Sequence, residues 1–306
     1  MISGRRKMEA SKPVMRCLLY PILMAVILSL PLEGGVVITD STDEGMEAFR
    51  IETPAAVYYY QKEAGGFSSI LDPEGNDWIG YRDSGDPRYP DSAASDYRGL
   101  PNLVFRGEDD GAGHPGFRAC RSEVTAPDTI RSQSNSGLWA WEWRFRESYA
   151  ELRILEADPS RAYWFLYEGT PSGRYRPGEQ YWGTDRGGPR HDIPDYLAGQ
   201  EIYGKWRWAY FGDRGSERVF FVVNRQMEPS KSEMGYLGSD RDGPEAKDGM
   251  VVFGFGRDKG AVPLLKGKAV FFLGFYPKKM ETAESHERLE GYIESLLQSR
   301  SADSGN

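Results

Sequence analysis

The sequence predicts a mainly β protein, a two-sheet antiparallel β-sandwich with a C-terminal amphipathic helix. Aromatic residues make up 13% of the 306 residues, and 36 Gly and 19 Pro provide many turn positions. Aromatic side chains favour strands, and Gly and Pro favour the turns between them. The predicted strands do not alternate with helical segments, which argues against βαβ units. Two packed antiparallel sheets are then the simplest arrangement that buries one face of each sheet.

Two tryptophan-rich segments display the strand period most clearly. In LWAWEWRFR, Trp139, Trp141, Trp143 and Phe145 occupy one face, and charged residues occupy the other. WRWAYFG repeats this alternation of period two, which is typical of a half-buried strand. Further strands are predicted in FRIET, AVYYYQ, AYWFLYE, RVFFVVN, MVVFGFG and AVFFLGF. PEGN between SSILD and DWIGY predicts a β-hairpin.

The hydrophobic period changes after Pro277. Apolar residues then recur at helical spacing, namely Leu289, Tyr292, Ile293, Leu296 and Leu297. This pattern predicts an amphipathic helix over about residues 281–298 that packs on the sandwich. With no internal repeat or low-complexity linker, residues 36–300 are interpreted as one domain, and residues 301–306 as a disordered tail.

Residues 1–35 are predicted to be a signal peptide. Five basic residues precede the apolar run 17–32, and Gly34 and Gly35 supply small residues for cleavage. The run is shorter than the approximately 20 residues that a spanning helix needs. We therefore expect a secreted or periplasmic protein. The alternative is an uncleaved N-terminal anchor, the only case in which we expect contact with a membrane.

The charge balance and the Cys and His content exclude several classes of protein. The formal net charge of −8 argues against a nucleic-acid partner, which requires a basic face. Two Cys and three His are too few for a disulfide scaffold or a cysteine-rich zinc module. The acidic loop 240–248 does not match the EF-hand pattern and is interpreted as a solvated loop. We predict no metal and no cofactor, and the sequence leaves the oligomeric state open.

The long irregular stretch 82–118 contains the first set of candidate site residues. Arg98 and Asn102 are of the types that bind the carboxylate of a sugar acid, and Tyr97 and His114 of the types that move a proton beside it. The alternative is structural: Arg98 and Asn102 would hold the Gly- and Pro-rich loop, and His114 would be packed.

The second stretch, 169–204, combines arginines with aromatic residues. Arginine can pair with carboxylate or sulfate, and exposed aromatic rings can stack on sugars. Its candidates are three substrate-binding arginines, one substrate-binding tryptophan and two catalytic residues: Arg174, Arg176, Arg186, Trp182, Tyr181 and His191. The alternative is that Tyr181 and Trp182 fold back and close the edge of the sandwich. A glycosidase would instead use two carboxylates, for which Glu168 with Asp185 or Asp192 is the least arbitrary choice.

Several segments carry a family resemblance. VYYYQKEAGGFSSILDPEGNDWIGY, with YRGLPN, HPGF, FLYEGTPSGRYRP and QYWGTDRG, resembles uncharacterised exported bacterial proteins associated with polysaccharide breakdown. The opening strand, glycine-rich turn and SSILD hairpin are also similar to the start of galactose-mutarotase-like sugar-binding sandwiches. The second resemblance implies a sugar ligand, and Glu168 with His114 and His191 would imitate the Glu base and His pair of mutarotases.

Together these observations predict an exported carbohydrate-active protein whose partner is a polysaccharide or oligosaccharide. As an enzyme it would be a uronic-acid polysaccharide lyase, with Arg98 and Asn102 on the carboxylate. His114 or His191, with Tyr97 or Tyr181, would then serve as base and acid. One alternative is a non-catalytic sugar-binding module that uses Trp182 and Tyr181. Another is a structural envelope protein that docks through its C-terminal helix.

Overall fold

The computed structural model describes residues 35–81, 96–169, 171–176, 178–192, 202–237 and 249–298. Within these ranges the chain forms antiparallel sheets and one C-terminal helix, which confirms the predicted fold class. The predicted signal sequence up to residue 34, the acidic loop 240–248 and the tail 301–306 lie outside the described residues.

The first sheet has four antiparallel strands in chain order. They are β1 (Val37–Asp43), β2 (Met46–Glu52), β3 (Val57–Gln61) and β4 (Gly66–Leu71). The predicted turn follows β4, where Leu71 forms an isolated bridge with Asp77. A two-stranded ladder then joins β5 and β6, namely Gly80–Tyr81 and Tyr97–Arg98.

The second sheet has nine antiparallel strands. Their order across the sheet is β14 (Gly187–Arg190), β13 (Gln180–Thr184), β16 (Trp208–Asp213), β17 (Val219–Asn224), β22 (Val270–Tyr276), β11 (Tyr149–Glu156), β10 (Ala140–Phe145), β9 (Thr129–Ser134) and β8 (Cys120–Ala126).

The third sheet has five antiparallel strands. Their order is β15 (Ile202–Gly204), β18 (Ser232–Leu237), β19 (Met250–Phe255), β12 (Trp164–Tyr167) and β7 (Asn102–Val104). A small ladder of β20 (Arg257–Asp258) and β21 (Val262–Pro263) follows β19. A 3-10 turn, Pro171–Gly173, lies after β12.

Aromatic rings fill the layer between the sheets. Phe67 of the first sheet packs edge-on against Trp143 of the second, with ring centroids 4.8 Å apart. Phe165 of the third sheet stacks on Phe271 of the second at 4.7 Å. Burial of each such side chain contributes about 1.5–3 kcal/mol. The period-two alternation predicted that Trp141, Trp143 and Phe145 share one face of a strand. In the structure these three residues form the core-facing side of β10.

The helix α1 (Ala283–Gln298) covers the opposite face of the nine-stranded sheet. Thr282 and Ser285 cap its start reciprocally, since the hydroxyl of each accepts the backbone N–H of the other, at 3.2 and 3.1 Å. Its buried side chains pack on an aromatic surface of the sheet and are His286, Leu289, Ile293 and Leu297. Within the described ranges, no helix combines the length and apolar character needed to cross a membrane.

Candidate functional site

One row of side chains crosses the outward face of the five-stranded sheet. The strand register pairs Asn102 with Leu166, Leu166 with Gly254, Gly254 with Glu233, and Glu233 with Tyr203. Residues paired directly across strands share a face of the sheet. The alternate residues of these strands belong to the core between the sheets. The row therefore faces away from that core.

Glu168 extends this face beyond the end of β12. It follows Leu166 by two residues, which makes it a diagonal neighbour of Asn102, with Cβ atoms about 7–8 Å apart in such pairs. Its Oε2 accepts the backbone N–H of Gly99 at 3.0 Å, and its carboxylate also accepts the N–H of Leu100. We call Arg98, Asn102, His114 and Glu168 the Glu168 cluster.

The electrostatics of Glu168 reflect burial opposed by hydrogen bonding. Removal from water raises the pKa of the Glu168 carboxyl, while the Arg98 guanidinium and the two backbone N–H groups work against that rise. The Nη1 of Arg98 also donates to the carbonyl of Tyr97 at 2.8 Å. A carboxyl group with a raised pKa beside an arginine can exchange protons nearer to neutral pH than an ordinary glutamate.

Asn102 and His114 bring unsatisfied polar atoms to the cluster. The Oδ1 of Asn102 accepts the N–H of Leu103 at 2.7 Å, and its Nδ2 has no hydrogen-bond partner. This Oδ1 lies only 2.6 Å from the place that a Cβ on Gly113 would take, so the segment that carries His114 packs against Asn102. The Nδ1 of His114 is also without a partner. Asn102 is 6% exposed and His114 8% exposed.

Burial determines the protonation state of His114. It lowers the pKa of the imidazole to about 4, so the ring is neutral at neutral pH. Buried polar atoms usually have a hydrogen-bond partner. The amide nitrogen of Asn102 and the ring nitrogen of His114 are exceptions to this rule within the described residues.

The two loop regions singled out from the sequence meet at this cluster. A Cβ on Gly173 would lie 2.3 Å from the Cβ of Arg98, so the turn Pro171–Gly173 lies directly against Arg98. Ser172 adopts a left-handed conformation with φ of 61° and donates its N–H to the carbonyl of Asp77 at 2.6 Å. The start of the second loop is thereby held against the first.

The aromatic residues of the second loop lie elsewhere, in the hairpin of β13 and β14. Tyr181 is 4% exposed, and its Oη accepts the N–H of Met280 at 3.1 Å beside α1. Burial raises the pKa of its hydroxyl to about 12. Trp182 is 1% exposed, and its Nε1 donates to the carbonyl of Asp192 at 2.9 Å.

The exposure that sugar stacking requires is therefore not found at Tyr181 and Trp182. Tyr181 and Trp182 are instead both packed against other parts of the protein, as in the alternative interpretation of this loop. Successive residues of β13 point to opposite faces of the sheet, and both faces are covered. His191 is exposed, with its ring 5.7 Å from that of Tyr181. Among the described contacts, none joins His191 to His114.

The other predicted site residues have varied surroundings. Tyr97 is buried, its Oη accepts a hydrogen bond from Gln61 Nε2 at 3.0 Å, and burial raises the pKa of its hydroxyl. Arg176 pairs with Glu179 at 2.6 Å and also with Asp213. Arg174 and Arg186 are exposed.

Sequence reasoning missed a charged pair above Gly254. The Nη1 of Arg257 lies 2.6 Å from the Oε2 of Glu233, and its guanidinium carbon lies 5.1 Å from the ring centroid of Trp164. A Cβ on Gly254 would lie 2.6 Å from Trp164 and 2.7 Å from Arg257, so the glycine makes room for both. The sequence signal for this pair is Gly254 in MVVFGFG. Only the strand register shows that this glycine leaves room for Trp164 and Arg257.

The described residues include no group of three or more His, Cys, Asp or Glu that could hold a metal ion. Of the predicted site residues, Arg98 interacts with Glu168, and Asn102 lies against the segment that carries His114, whereas Tyr181, Trp182 and His191 lie in or beside the β13–β14 hairpin.

No protein-family model and no curated protein matches the chain. Solved structures with a similar fold include a galactose mutarotase-like protein from Lactobacillus casei, at 9% identity and TM-score 0.43, over 75% of this chain and 100% of that one. A galactose mutarotase related enzyme from Lactobacillus acidophilus matches at 6% identity and TM-score 0.44, over 77% and 99%. A TPR-domain containing protein from Parabacteroides distasonis matches at 11% identity and TM-score 0.48, over 80% and 54%.

The sequence resemblance to galactose-mutarotase-like sandwiches is thus found again among solved structures. The matches do not support the resemblance to exported polysaccharide-associated proteins. At these identities and TM-scores, the similarity carries no argument about the site of this chain.

Proposed function

We propose that the protein binds a carbohydrate at the Glu168 cluster. The observation that carries this proposal is the pair of buried atoms that have no hydrogen-bond partner among the described residues, Asn102 Nδ2 and His114 Nδ1, on two segments that pack against each other. Each hydroxyl group of a sugar both donates and accepts a hydrogen bond. A set containing an amide donor, a neutral imidazole and a carboxyl group is therefore complementary to neighbouring hydroxyls.

A second candidate adds a reaction, the β-elimination of a uronic-acid polysaccharide. Arg98 and Asn102 would bind the carboxylate, and neutral His114 would remove the proton from the adjacent carbon. A carbon–carbon double bond then forms, the glycosidic carbon–oxygen bond breaks, and the leaving oxygen takes up a proton. The neutral state and unpartnered Nδ1 of His114 favour this candidate, although Arg98 already interacts with Glu168. Export to the periplasm or outside the cell belongs to the same proposal, because such polysaccharides lie there.

The test incubates the purified protein with neutral, uronic and sulfated polysaccharides. Calorimetry measures binding, ultraviolet absorbance follows unsaturated uronides, and a reducing-end assay follows cleavage. Binding alone supports a sugar-binding protein, whereas a rise in both product signals adds lyase activity. Reducing ends without ultraviolet absorbance would contradict β-elimination and indicate hydrolysis.

Matched variants locate the site. Glu168→Gln removes the charge beside Arg98, and we expect the affinity to fall about 10- to 100-fold, since hydrogen bonds to charged groups contribute about 1.5–3 kcal/mol. Glu142→Gln disrupts a Glu–Arg pair on another sheet, between Glu142 and Arg144 at 3.1 Å, and serves as the control. Equal affinities for Glu168→Gln and the wild type would contradict the proposed location.

A further inference from the structure

Two connections between the sheets leave the sandwich at the same end. The first, residues 225–231, joins β17 to β18, and the second, residues 256–269, joins β19 to β22. The register pairs the last residue of β17 with Phe271 and the first residue of β18 with Phe255. Because paired residues lie next to each other across strands, both connections start and finish at one end of the two sheets. We call these two connections the loop pair.

Direct contacts hold the base of the loop pair. An ion pair between Lys231 and Asp258 joins the first connection to the second. Leu265 is 3% exposed, and its backbone N–H and C=O are both hydrogen-bonded to Tyr163, each at 2.9 Å. At the tip of the second connection, by contrast, a Cβ on Gly260 would meet no atom within 4 Å. The tip therefore projects into open space from an anchored base.

Three apolar side chains of the loop pair are exposed. Met227 is 91% exposed, Val262 51% and Leu264 38%. Single exposed apolar side chains are common on soluble proteins, whereas a group of them on neighbouring loops is typical of an interaction surface. A partner that buries these side chains must offer apolar surface of its own.

The loop pair is basic although the protein is acidic. It contains six basic and two acidic residues, and Arg257 is buried against Glu233, so the remaining charges give a net +3 in a chain of net −8. Lys266 and Lys268 are exposed, and no hydrogen bond or ion pair joins either of them to another described residue. A basic surface with projecting apolar side chains is complementary to the headgroups and acyl chains of an anionic lipid layer.

We propose that the loop pair docks the protein on a membrane that contains anionic phospholipids. Met227, Val262 and Leu264 enter the headgroup region, while the lysines attract the anionic headgroups. A soluble polyanion would pair with the lysines but would leave the three apolar side chains in water, which favours lipid as the partner. The sequence predicted membrane contact only through an uncleaved N-terminal anchor, whereas this surface belongs to the sandwich and requires no sugar.

The experiment measures co-sedimentation with lipid vesicles. It uses residues 34–306, which form a compact unit and omit the apolar run 17–32 that would itself enter a bilayer. We expect binding to vesicles of phosphatidylglycerol mixed with an excess of phosphatidylcholine, and weaker binding as added salt screens the charges. Vesicles of phosphatidylcholine alone should bind much less. Absence of binding to the anionic vesicles, or equal binding to both kinds, would overturn the proposal.

One pair of variants tests the apolar side chains. Val262→Asp places a charge at the apolar tip, and we expect the affinity for the anionic vesicles to fall by about tenfold or more. Val124→Asp is the matched control, because Val124 is 44% exposed but lies on β8, outside the loop pair. Equal losses in the two variants would reject the loop pair as the docking surface.

A second pair tests the charges and covers the case in which Val262→Asp folds poorly, as judged by circular dichroism. Lys266→Gln should lower the affinity about fivefold, since a basic residue near an anionic surface contributes about 1 kcal/mol. Lys278→Gln is the control, because this exposed lysine follows the opposite end of β22. Equal affinities of Lys266→Gln and the wild type would overturn the proposal, as would binding of a soluble acidic polysaccharide in place of the vesicles.

Discussion

The Glu168 cluster and the β13–β14 hairpin contain similar residue types but differ in how their polar atoms are satisfied. In the hairpin, the hydroxyl of Tyr181 and the indole N–H of Trp182 both have backbone partners. In the cluster, Asn102 Nδ2 and His114 Nδ1 have none. Residue type alone therefore does not distinguish a binding site from packing. An unsatisfied buried atom is not sufficient either, since Asp185 Oδ1 in the turn of the hairpin is also one.

The difference arises from what lies above each surface. The face that carries Tyr181 packs on α1, and Trp182 points to the core between the sheets. Asn102 instead lies at the start of the edge strand β7, and the irregular segment that carries His114 packs against it. We therefore expect changes in the hairpin to reduce stability, and changes in the cluster to reduce sugar binding.

The largest effect is expected from Trp182→Ala. Removal of a fully buried tryptophan side chain should lower the free energy of unfolding by about 3–5 kcal/mol, measured by chemical denaturation. Leu138→Ala is the control, because this leucine is 40% exposed. Sugar binding by the remaining folded protein should be unchanged. A loss of affinity in folded Trp182→Ala without a loss of stability would reverse the comparison.

The second prediction concerns the pH dependence of stability at His114. Its folded-state pKa is lowered from 6.5 to about 4, so its contribution to stability is present above pH 6.5 and is lost as the pH falls towards 4. The unfolding free energy of the wild type relative to His114→Gln should therefore fall by up to about 3 kcal/mol over this range.

His191→Gln, in the hairpin, is the matched histidine variant. Its side chain is exposed, so the variant should retain a free energy of unfolding close to that of the wild type at neutral pH. If both variants lowered the free energy of unfolding equally, the contrast between the buried and the exposed histidine would be wrong.

The smallest effect is expected from Tyr181→Phe. This change removes the oxygen that accepts the N–H of Met280 and should lower the free energy of unfolding by about 1 kcal/mol. Tyr59→Phe, on the partly buried strand β3, is the control. Loss of sugar binding or of product formation in Tyr181→Phe, with stability unchanged, would restore the catalytic role that the sequence predicted.

Sequence reasoning came closest where the pattern is local. Strand alternation around Trp141 and helical spacing around Leu289 both depend on a few neighbouring residues, and both elements are present in the structure. The first loop also contains three members of the Glu168 cluster. Arg98, Asn102 and His114 could be singled out because they lie in an irregular segment that is too long for a simple turn, and such segments often carry functional residues.

The rest of the site could not be predicted from local patterns. Glu233 and Arg257 read as ordinary charged residues, and Trp182 reads as an exposed aromatic residue beside arginines. Whether Trp182 points outward depends on which strand pairs with β13 and on what covers that sheet.

The sequence by itself determined the class of the fold, and it singled out the loop that carries three of the four residues of the Glu168 cluster. These depend on backbone geometry, which repeats every two residues in a strand and every 3.6 in a helix. Only the tertiary structure decided which polar groups meet, because Asn102, Leu166, Gly254 and Glu233 share a face through pairings between strands far apart in the chain. A one-residue shift in that register would turn each side chain to the opposite face.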